Sequence, residues 1–171
     1  MKSEGKLIWI TGLAGSGKTT LAEKIYKEIK KKDLNSVHLD GDHLREILNE
    51  QHTYDLESRK RTAGIYSKLC HNLTNQGIHV VMSTISLFYD VQEYNRKNNQ
   101  FYYEILVRAN EEELLKRNKK GLYTSHVLDV MGIHQHPEFP KNPTLILENN
   151  NLNELEENIK KIMNLFNLEG E

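Results

Sequence analysis

The sequence predicts an α/β fold, a three-layer sandwich in which helices cover both faces of a central parallel sheet of about five strands. Two observations predict it. Short apolar runs bounded by turn residues alternate along the chain with longer stretches of helical periodicity, and strand alternating with helix is typical of parallel sheets. Because the 171 residues show no low-complexity linker or internal repeat, we predict a single domain over residues 1–171.

The predicted strands are apolar runs of three to six residues, short enough for strands that are buried on both faces. They are Leu7–Thr11, Val37–Leu39, Ile78–Ser83, Tyr102–Val107 and Thr144–Leu147.

The predicted helices lie between and after these strands and place apolar residues three and four positions apart. They are Lys18–Lys32, Leu44–Asn49, Leu56–Asn75, Asp90–Lys97, Glu111–Asn118 and Leu152–Phe166.

The segment Lys119–Pro143 fits neither periodicity and contains all three prolines of the chain. A loop of this length in a compact domain is usually a lid, a binding loop or a disordered segment. We therefore predict a lid loop over the functional site and call this segment the lid.

Composition excludes several classes of function. The 23 Lys and Arg residues nearly balance the 24 Asp and Glu residues and are spread along the chain, so neither nucleic acid nor a membrane is an expected partner. Cys70 is the only cysteine, which excludes an intramolecular disulfide framework. No signal-peptide core or 18-residue apolar run is present, and the cytoplasm is the expected location.

A phosphate-binding motif follows the first predicted strand. The stretch "GLAGSGKT" fits the pattern GxxxxGK[ST], and it opens a predicted helix, as a phosphate loop requires. Backbone N–H groups of such a loop wrap the phosphates, its Lys neutralises the β- and γ-oxygens, and its Thr hydroxyl ligates Mg²⁺. We therefore predict a P-loop NTPase that binds a nucleoside triphosphate and Mg²⁺. The predicted ligands of the triphosphate are Gly12, Ala14, Gly15, Ser16, Gly17, Lys18, Thr19 and Thr20.

Two carboxylates follow the second predicted strand in the stretch "LDGD". Open α/β sheets bind ligands at the carboxyl ends of their strands, so Asp40 and Asp42 are expected beside the phosphate loop. One of them is predicted to reach the metal through water, and the other is predicted to take the proton of an attacking hydroxyl, as the base of phosphoryl transfer does. Gly41 between them is interpreted as allowing a tight turn.

Three arginines near these carboxylates predict an anionic acceptor. Arg45 lies one helical turn beyond Asp42, and Arg59 and Arg61 begin the long third helix. Arginine suits bidentate binding of anionic oxygens, which attacking water does not need. At least one of these side chains is therefore expected to hold an acceptor that itself carries a phosphate-type group.

Taken together, "GLAGSGKTT", "LDGDHLR", Arg59, "STIS" and "KGLY" followed by "GI", "P" and "NP" resemble the adenylyl-sulfate (APS) kinase family over about residues 5–150. The resemblance implies a P-loop NTPase fold of the nucleotide-kinase type and transfer of the γ-phosphate of ATP, with Mg²⁺, to the ribose 3′-hydroxyl of a small nucleotide. It implies that Asp42 takes the proton of that hydroxyl and that Asp40 reaches the metal through water. It implies that Arg117 lies near the ATP base, and that Ser86 stands where the family has a serine sometimes assigned as a phosphorylated intermediate. Direct transfer needs no covalent step, so helix capping or acceptor contact is the favoured role of Ser86. The acceptor ligands it implies are Asp42, Arg45, Tyr54, Arg59, Thr62, Ile85, Ser86 and Val130.

The sequence departs from the family pattern mainly around the acceptor. The family's base-stacking phenylalanine is Tyr54 here, and its asparagine is Thr62. The lid is about four residues shorter than usual and carries Val130 where the family has a second phenylalanine, so one wall of a purine site is missing. A family offshoot that phosphorylates cytidine diphosphoramidate, on the route to bacterial capsule phosphoramidate, is similar to this sequence. We therefore favour that acceptor, with APS as the alternative and a non-catalytic ATP-binding switch as a remote one.

Three further interpretations concern other residues. The lid histidines His126, His134 and His136 lack the Cys/His spacing of a zinc site and are interpreted as loop residues. The helical spacing of Tyr66 and Cys70 favours a place in the core. Relatives are commonly dimers, so a homodimer is one expected assembly, although the chain lacks most of the segment that usually precedes the phosphate loop.

Overall fold

The computed structural model describes residues 4–32, 34–50, 52–117, 121 and 128–168. Within these residues five strands form one parallel sheet in the order β2-β3-β1-β4-β5. The α/β fold with a five-stranded parallel sheet is thereby confirmed. The strands are β1 (Leu7–Thr11), β2 (Ser36–Asp40), β3 (His79–Ser83), β4 (Tyr102–Arg108) and β5 (Leu145–Glu148).

In the part of the chain that the structure describes, six α-helices follow or join these strands, each within a few residues of its predicted position. The clearest difference is at α2, which begins at Gly41 rather than Leu44 and ends at Ile47 rather than Asn49. It begins early because the Asp40 side chain caps it, accepting hydrogen bonds from the backbone N–H groups of Asp42 and His43. The helices are α1 (Lys18–Lys31), α2 (Gly41–Ile47), α3 (Leu56–Thr74), α4 (Tyr89–Asn98), α5 (Glu111–Arg117) and α6 (Leu152–Leu168).

Apolar side chains fill both faces of the sheet, as an alternation of strands and helices requires. On one face α1 and α6 pack together over Ile8 and Ile105. On the other face α3 and α4 pack together over Trp9 and Met82. The central strand β1 is fully buried on both faces, so the phosphate loop that follows it starts from a rigid support.

The loops after β1 and β3 and the start of α2, which directly follows β2, converge at the carboxyl edge of the sheet, where the strand order places β1 between β3 and β4. Much of the predicted lid, residues 119–120 and 122–127, lies outside the described residues. Residues 128–143 contain turns and one isolated bridge between Met131 and Gln135. No helix among the described residues is long and apolar enough to cross a membrane.

Candidate active site

A cavity of about 280 Å³ opens at the carboxyl edge of the sheet. The phosphate loop, the start of α2, the N-terminal half of α3, the loop after β3 and the described part of the lid all contribute to its wall. Every residue that the sequence predicts as an acceptor ligand lies in this wall. Those residues are Asp42, Arg45, Tyr54, Arg59, Thr62, Ile85, Ser86 and Val130.

The phosphate loop lies between β1 and α1 and forms one end of the cavity. Lys18 is buried, and its Nζ donates a hydrogen bond of 2.6 Å to the carbonyl of Leu13 in the loop. Thr20 is exposed and does not line the cavity. The predicted ATP ligands that line it are Ala14, Gly15, Lys18 and Thr19, whereas Gly12, Ser16 and Gly17 belong to the loop without reaching the cavity wall.

Asp40 joins the phosphate loop to β3. Its Oδ2 accepts hydrogen bonds from Thr19 Oγ1 at 2.9 Å and from Ser83 Oγ at 2.7 Å, while its Oδ1 caps α2. Burial is the largest influence on the pKa of Asp40 and would raise it, but these hydrogen bonds together hold that pKa below the usual carboxyl value. Asp40 is therefore ionised and fixed in orientation directly beside Thr19.

Asp42 lies in the first turn of α2 with its side chain half-buried at the cavity wall. The glycine before it is needed for space rather than for the tight turn that the sequence suggested. A Cβ on Gly41 would come within 2.8 Å of Thr84 Oγ1, while Gly41 itself lies in helical conformation. The close approach of the loop after β3 thus brings Asp42 beside Thr84 and Ser86 in one cavity.

Arg45 is buried, and hydrogen bonds to surrounding protein groups hold its guanidinium in place. Its Nη1 donates to the carbonyls of Glu50 and Thr53 at 2.8 and 2.7 Å, and its Nη2 donates to Thr62 Oγ1 at 2.9 Å. Three of its five N–H groups are therefore occupied by the protein. Arg45 contributes its charge to the cavity and has less capacity for a bidentate anion contact than the sequence alone suggested.

Arg59 is the more available of the two arginines in the cavity. Its Nε donates to the Tyr54 carbonyl at 2.9 Å and its Nη2 to the Asp129 carbonyl at 3.0 Å, which leaves the Nη1 end for an anion. Burial, followed by the positive charge of Arg45, lowers the pKa of Arg59. An anion bound here would relieve the repulsion between the two guanidinium groups. Both groups also lie against the Tyr54 ring, with Cζ 4.8 Å from the ring centroid for Arg45 and 5.1 Å for Arg59.

Arg61, by contrast, does not line the cavity. Its Nη2 forms an ion pair with Glu50 at 2.7 Å on the surface, and about half of its side chain is exposed. Hydrogen bonds from Thr53 and from Arg61 lower the pKa of Glu50 to about 2. This pair stabilises the turn whose carbonyls hold Arg45, so the structure does not bring Arg61 to the anion site.

Ser86 is buried at the cavity wall, where its Oγ lies 2.7 Å from Thr84 Oγ1. The predicted capping role is wrong, because α4 begins after Phe88 and has no side-chain cap. Acceptor contact, the other role inferred for Ser86, remains compatible with its position.

Arg117 lies against the phosphate loop. Its Nη1 donates to the Gly15 carbonyl at 3.2 Å and its Nη2 to the Asn149 carbonyl at 2.8 Å. Asn149 follows β5, and its Nδ2 donates to the Ser16 carbonyl at 2.9 Å. Arg117 and Asn149 therefore fix the outer side of the phosphate loop, and sequence reasoning did not identify Asn149 because no motif marks it.

The described part of the lid forms an apolar wall opposite Asp42. Val130 and Met131 are buried, and they line the cavity together with Phe88 from the loop after β3. Gln135 ties this wall to the aromatic side, since its Nε2 donates to the Tyr54 carbonyl at 2.9 Å. Phe88 and Met131 are cavity residues that sequence reasoning missed, although the short apolar pair "LF" after "STIS" was a usable signal.

Tyr66 belongs to the core, as its helical spacing predicts, and also reaches the cavity. Its hydroxyl donates to the Gly41 carbonyl at 2.9 Å. Burial raises the pKa of Tyr66 to about 12, so the hydroxyl keeps its proton at neutral pH. Cys70 is fully buried on the same helix, and burial raises the pKa of its thiol well above the usual range.

The lid histidines do not form a metal site within the described residues. His134 and His136 are exposed, and His134 Nδ1 accepts a hydrogen bond of 3.3 Å from the Val130 backbone. His126 lies outside the described residues. Across the part of the chain that the structure describes, no cluster of three His, Cys, Asp or Glu side chains could hold a metal ion.

The donors beside the phosphate loop nevertheless fit Mg²⁺ bound together with a nucleotide. The Thr19 hydroxyl and the ionised Asp40 carboxylate are hard oxygen groups 2.9 Å apart. Mg²⁺ in phosphoryl-transfer sites is typically held by one or two such groups, several waters and the substrate phosphates rather than by an all-protein cage.

Comparison with known proteins agrees with this geometry. The family model described as adenylylsulphate kinase matches residues 4–148. The cytidine diphosphoramidate kinase of Campylobacter jejuni is 40% identical over 95% of this chain and 97% of its own length. The adenylyl-sulfate kinase of Picosynechococcus is 33% identical over 95% of this chain and 94% of its own length.

A solved structure agrees with these sequence comparisons. The APS kinase of Mycobacterium tuberculosis, in complex with AMPPNP and APS, superposes with a TM-score of 0.85 at 26% identity. The superposition covers 96% of this chain and 98% of that one.

Proposed function

This chain belongs to the adenylylsulphate kinase family, and on that premise we propose that it transfers the γ-phosphate of ATP to the ribose 3′-hydroxyl of cytidine diphosphoramidate. The chain is a phosphotransferase acting on a nucleotide. Family membership therefore excludes the non-catalytic ATP-binding switch. We propose the identity of the acceptor, the hydroxyl group that receives the phosphate and the roles of the individual residues. By the same likeness, its product would serve capsule phosphoramidate synthesis.

The observation that carries the proposal is the joining of two kinds of group in one cavity. The phosphate loop with Lys18 and Thr19 forms one end, and Asp42 and Arg59 lie in the same wall. A hydroxyl held near Asp42 and an anionic group held by Arg59 together describe an acceptor that carries both a hydroxyl and a phosphate-type group, as the nucleotide acceptors named for this chain's relatives do. If water were the acceptor, neither Arg45 nor Arg59 would be needed to hold it.

In the proposed reaction the backbone of the phosphate loop and Lys18 bind and orient the β- and γ-phosphates. The oxygen of the 3′-hydroxyl attacks the γ-phosphorus while Asp42 accepts the proton of that hydroxyl. The bond between the γ-phosphorus and the β-γ bridging oxygen breaks, and ADP is released. Mg²⁺, when bound beside Thr19 and Asp40, would supply positive charge against the phosphate oxygens. Val130 and Met131 of the lid would exclude water.

Two observations favour a cytidine acceptor over APS. Identity to the cytidine diphosphoramidate kinase, 40%, exceeds the 33% identity to the adenylyl-sulfate kinase over the same share of this chain. The lid also contributes Val130 to the cavity wall where the family pattern has a second phenylalanine, so one stacking wall of a purine site is missing. APS remains the second candidate because the family model and the fold of the M. tuberculosis enzyme both point to it.

The position of transfer is tested by identifying the product. ATP, Mg²⁺ and cytidine diphosphoramidate are incubated with the protein, and phosphorus–proton NMR correlations locate the new phosphate. We expect coupling of the new phosphorus to the ribose H3′. The 3′-deoxy analogue is the matched control and is expected to give no product, while coupling to H2′ or equal turnover of the 3′-deoxy analogue would contradict the proposal.

A further inference from the structure

His38 lies on β2 two residues before Asp40, on the same face of the strand, because side chains alternate along a strand. Asp40 is paired with Ser83 in the register between β2 and β3. The His38 imidazole is partly buried, and its Nε2 lies 3.2 Å from Ser83 Oγ. Tyr26 of α1 packs on it, with ring centroids 6.1 Å apart.

The direction of each hydrogen bond in this chain of groups can be assigned from the number of protons available. Asp40 Oδ2 accepts two hydroxyl hydrogen bonds, so Ser83 uses its single hydroxyl proton in the 2.7 Å bond to this oxygen. Ser83 Oγ must then accept from His38, which requires a proton on Nε2. This requirement holds whether the imidazole is neutral or charged, because both the cation and the Nε2–H tautomer carry that proton.

The same carboxylate oxygen also accepts from Thr19 Oγ1 at 2.9 Å. The Thr19 proton therefore points to Asp40, and the lone pairs of its oxygen point away from Asp40. A Ser83 hydroxyl without the His38 donor could rotate and give its proton elsewhere. Oδ2 of Asp40 would then lose one of its two donors, and the carboxylate could turn away from Thr19.

We propose that His38 is a positioning residue: by donating from Nε2 to Ser83, it fixes the Asp40 carboxylate and the Thr19 hydroxyl for Mg²⁺ bound with ATP. The inference rests on the proposed use of Mg²⁺ and not on the identity of the acceptor. His38 touches no substrate in this scheme and acts only through Ser83 and Asp40.

The first test uses metal-free protein labelled with ¹⁵N-histidine and identifies the protonated ring nitrogen of His38 by NMR. The His38 signals are assigned by their absence from the spectrum of His38→Gln. We expect a proton on Nε2, and we expect Ser83→Ala to abolish the change in the chemical shift of this Nε2–H group that its hydrogen bond causes. A neutral ring protonated on Nδ1 alone would overturn the proposal. The result depends on neither metal nor acceptor, so it separates failure of this inference from failure of the proposed function.

The second test measures ATP binding by calorimetry with and without Mg²⁺. His38→Leu and Ser83→Ala are each expected to reduce the Mg²⁺-dependent gain in affinity by about three- to tenfold, somewhat less than is usual for direct outer-shell partners of a metal. Affinity without Mg²⁺ is expected to stay unchanged. His38→Gln, which keeps a donor near the position of Nε2, is expected to remain within about twofold of the original protein.

His79→Leu is the matched control, because His79 is another half-buried histidine of the sheet that lies against Phe166 and away from the cavity. It is expected to leave the Mg²⁺-dependent gain unchanged. If His38→Leu lowers ATP affinity equally with and without Mg²⁺, or if Gln fails to rescue, the role of His38 is only structural and the proposal is wrong.

Discussion

The two sides of the cavity are built in different ways. On the phosphate side, the groups that line the cavity come from two short motifs and bond to one another: Lys18 bonds to Leu13, and Asp40 bonds to Thr19 and to the backbone of Asp42. On the acceptor side, the wall of the cavity is closed by contacts between the lid and residues far from it in sequence. Arg59 reaches Asp129 across 70 positions, and Gln135 reaches Tyr54 across 81.

This difference explains why family members can share one chemistry and differ in acceptor. The phosphate side is specified by short motifs that include the strand and the helix they connect, so it changes little when the lid changes. The acceptor side depends on how the lid folds back onto α3, and a few residues gained or lost there alter the wall formed by Val130 and Met131. The comparison predicts that substitutions on the phosphate side abolish transfer, whereas those on the acceptor side change which molecule is used.

The largest effect is expected from Asp42→Asn on the phosphate side. An amide cannot take the proton of the acceptor hydroxyl, so we expect kcat to fall by about 10²–10⁴-fold while ATP affinity stays within about twofold. Steady-state ADP formation and calorimetry measure the two quantities. Asp90→Asn, an exposed carboxylate of α4, is the control and is expected to keep full activity. Unchanged turnover in Asp42→Asn would exclude Asp42 as the base.

Next in size is Val130→Phe on the acceptor side. An added aromatic wall favours a purine, and base stacking is worth about 1–3 kcal/mol in bound nucleic acids. We therefore expect the ratio of kcat/KM for APS to that for cytidine diphosphoramidate to rise about 10- to 100-fold. Ile133→Phe, an exposed lid position outside the cavity wall, is the control. Equal shifts in both variants would show that the wall does not select the base.

Asp40→Ala tests whether the phosphate side also stabilises the fold. Removing a helix cap of this kind lowers the free energy of unfolding by about 1 kcal/mol. The pKa of Asp40 is lower in the folded state than in the unfolded chain, so its contribution is present above the ordinary carboxyl pKa and is lost as pH falls through the folded value. Chemical unfolding is therefore expected to show a difference between the two proteins at neutral pH that shrinks below about pH 4.

Asp55→Ala provides the matched control for that experiment, because Asp55 caps α3 through the Ser58 N–H at 3.0 Å. It is expected to lower stability by a similar amount and to leave ATP binding intact, whereas Asp40→Ala is expected to weaken binding of ATP with Mg²⁺. A stability difference for Asp40→Ala that grows on acidification would contradict the assigned charge state.

The smallest effect is expected from Gln135→Leu, which removes the hydrogen bond between the lid and the Tyr54 carbonyl. A single hydrogen bond of this kind is worth about 1 kcal/mol, so we expect the KM of the acceptor to rise about threefold to fivefold with the KM of ATP unchanged. Gln76→Leu, at the exposed end of α3, serves as the control. A larger change in the KM of ATP than in that of the acceptor would mean that the lid acts mainly on the phosphate side.

The sequence was sufficient to predict the strands of the sheet and the position of the phosphate-loop motif between β1 and α1, because both depend on local patterns. The apolar run Leu7–Thr11 is the observed β1, and the motif containing Lys18 opens α1 as predicted. The start of α2 was predicted too late because capping by Asp40 overrides the weak helical periodicity of that short segment.

Other features of the site could not be predicted, because they depend on side-chain contacts that no sequence motif indicates. Arg61 was predicted as a possible anion ligand beside Arg59, but it turns to Glu50 because the two side chains lie at different angles around α3. Ser86 was expected to cap a helix or to contact the acceptor; within the described residues it caps no helix, and its hydroxyl pairs with Thr84 inside the cavity wall. Asn149, which directly follows β5, reaches the phosphate loop across a separation of 133 positions in the sequence.

The identity of the acceptor is tested most directly by offering APS, CDP and cytidine diphosphoramidate to the same preparation with ATP and Mg²⁺. The quantity compared is kcat/KM for each acceptor, measured by ADP formation. We predict that cytidine diphosphoramidate exceeds APS by about tenfold or more, since the acceptor side lacks the second aromatic wall at Val130. Use of APS orders of magnitude better than either cytidine nucleotide would contradict the central claim that the lid of this chain selects a cytidine acceptor.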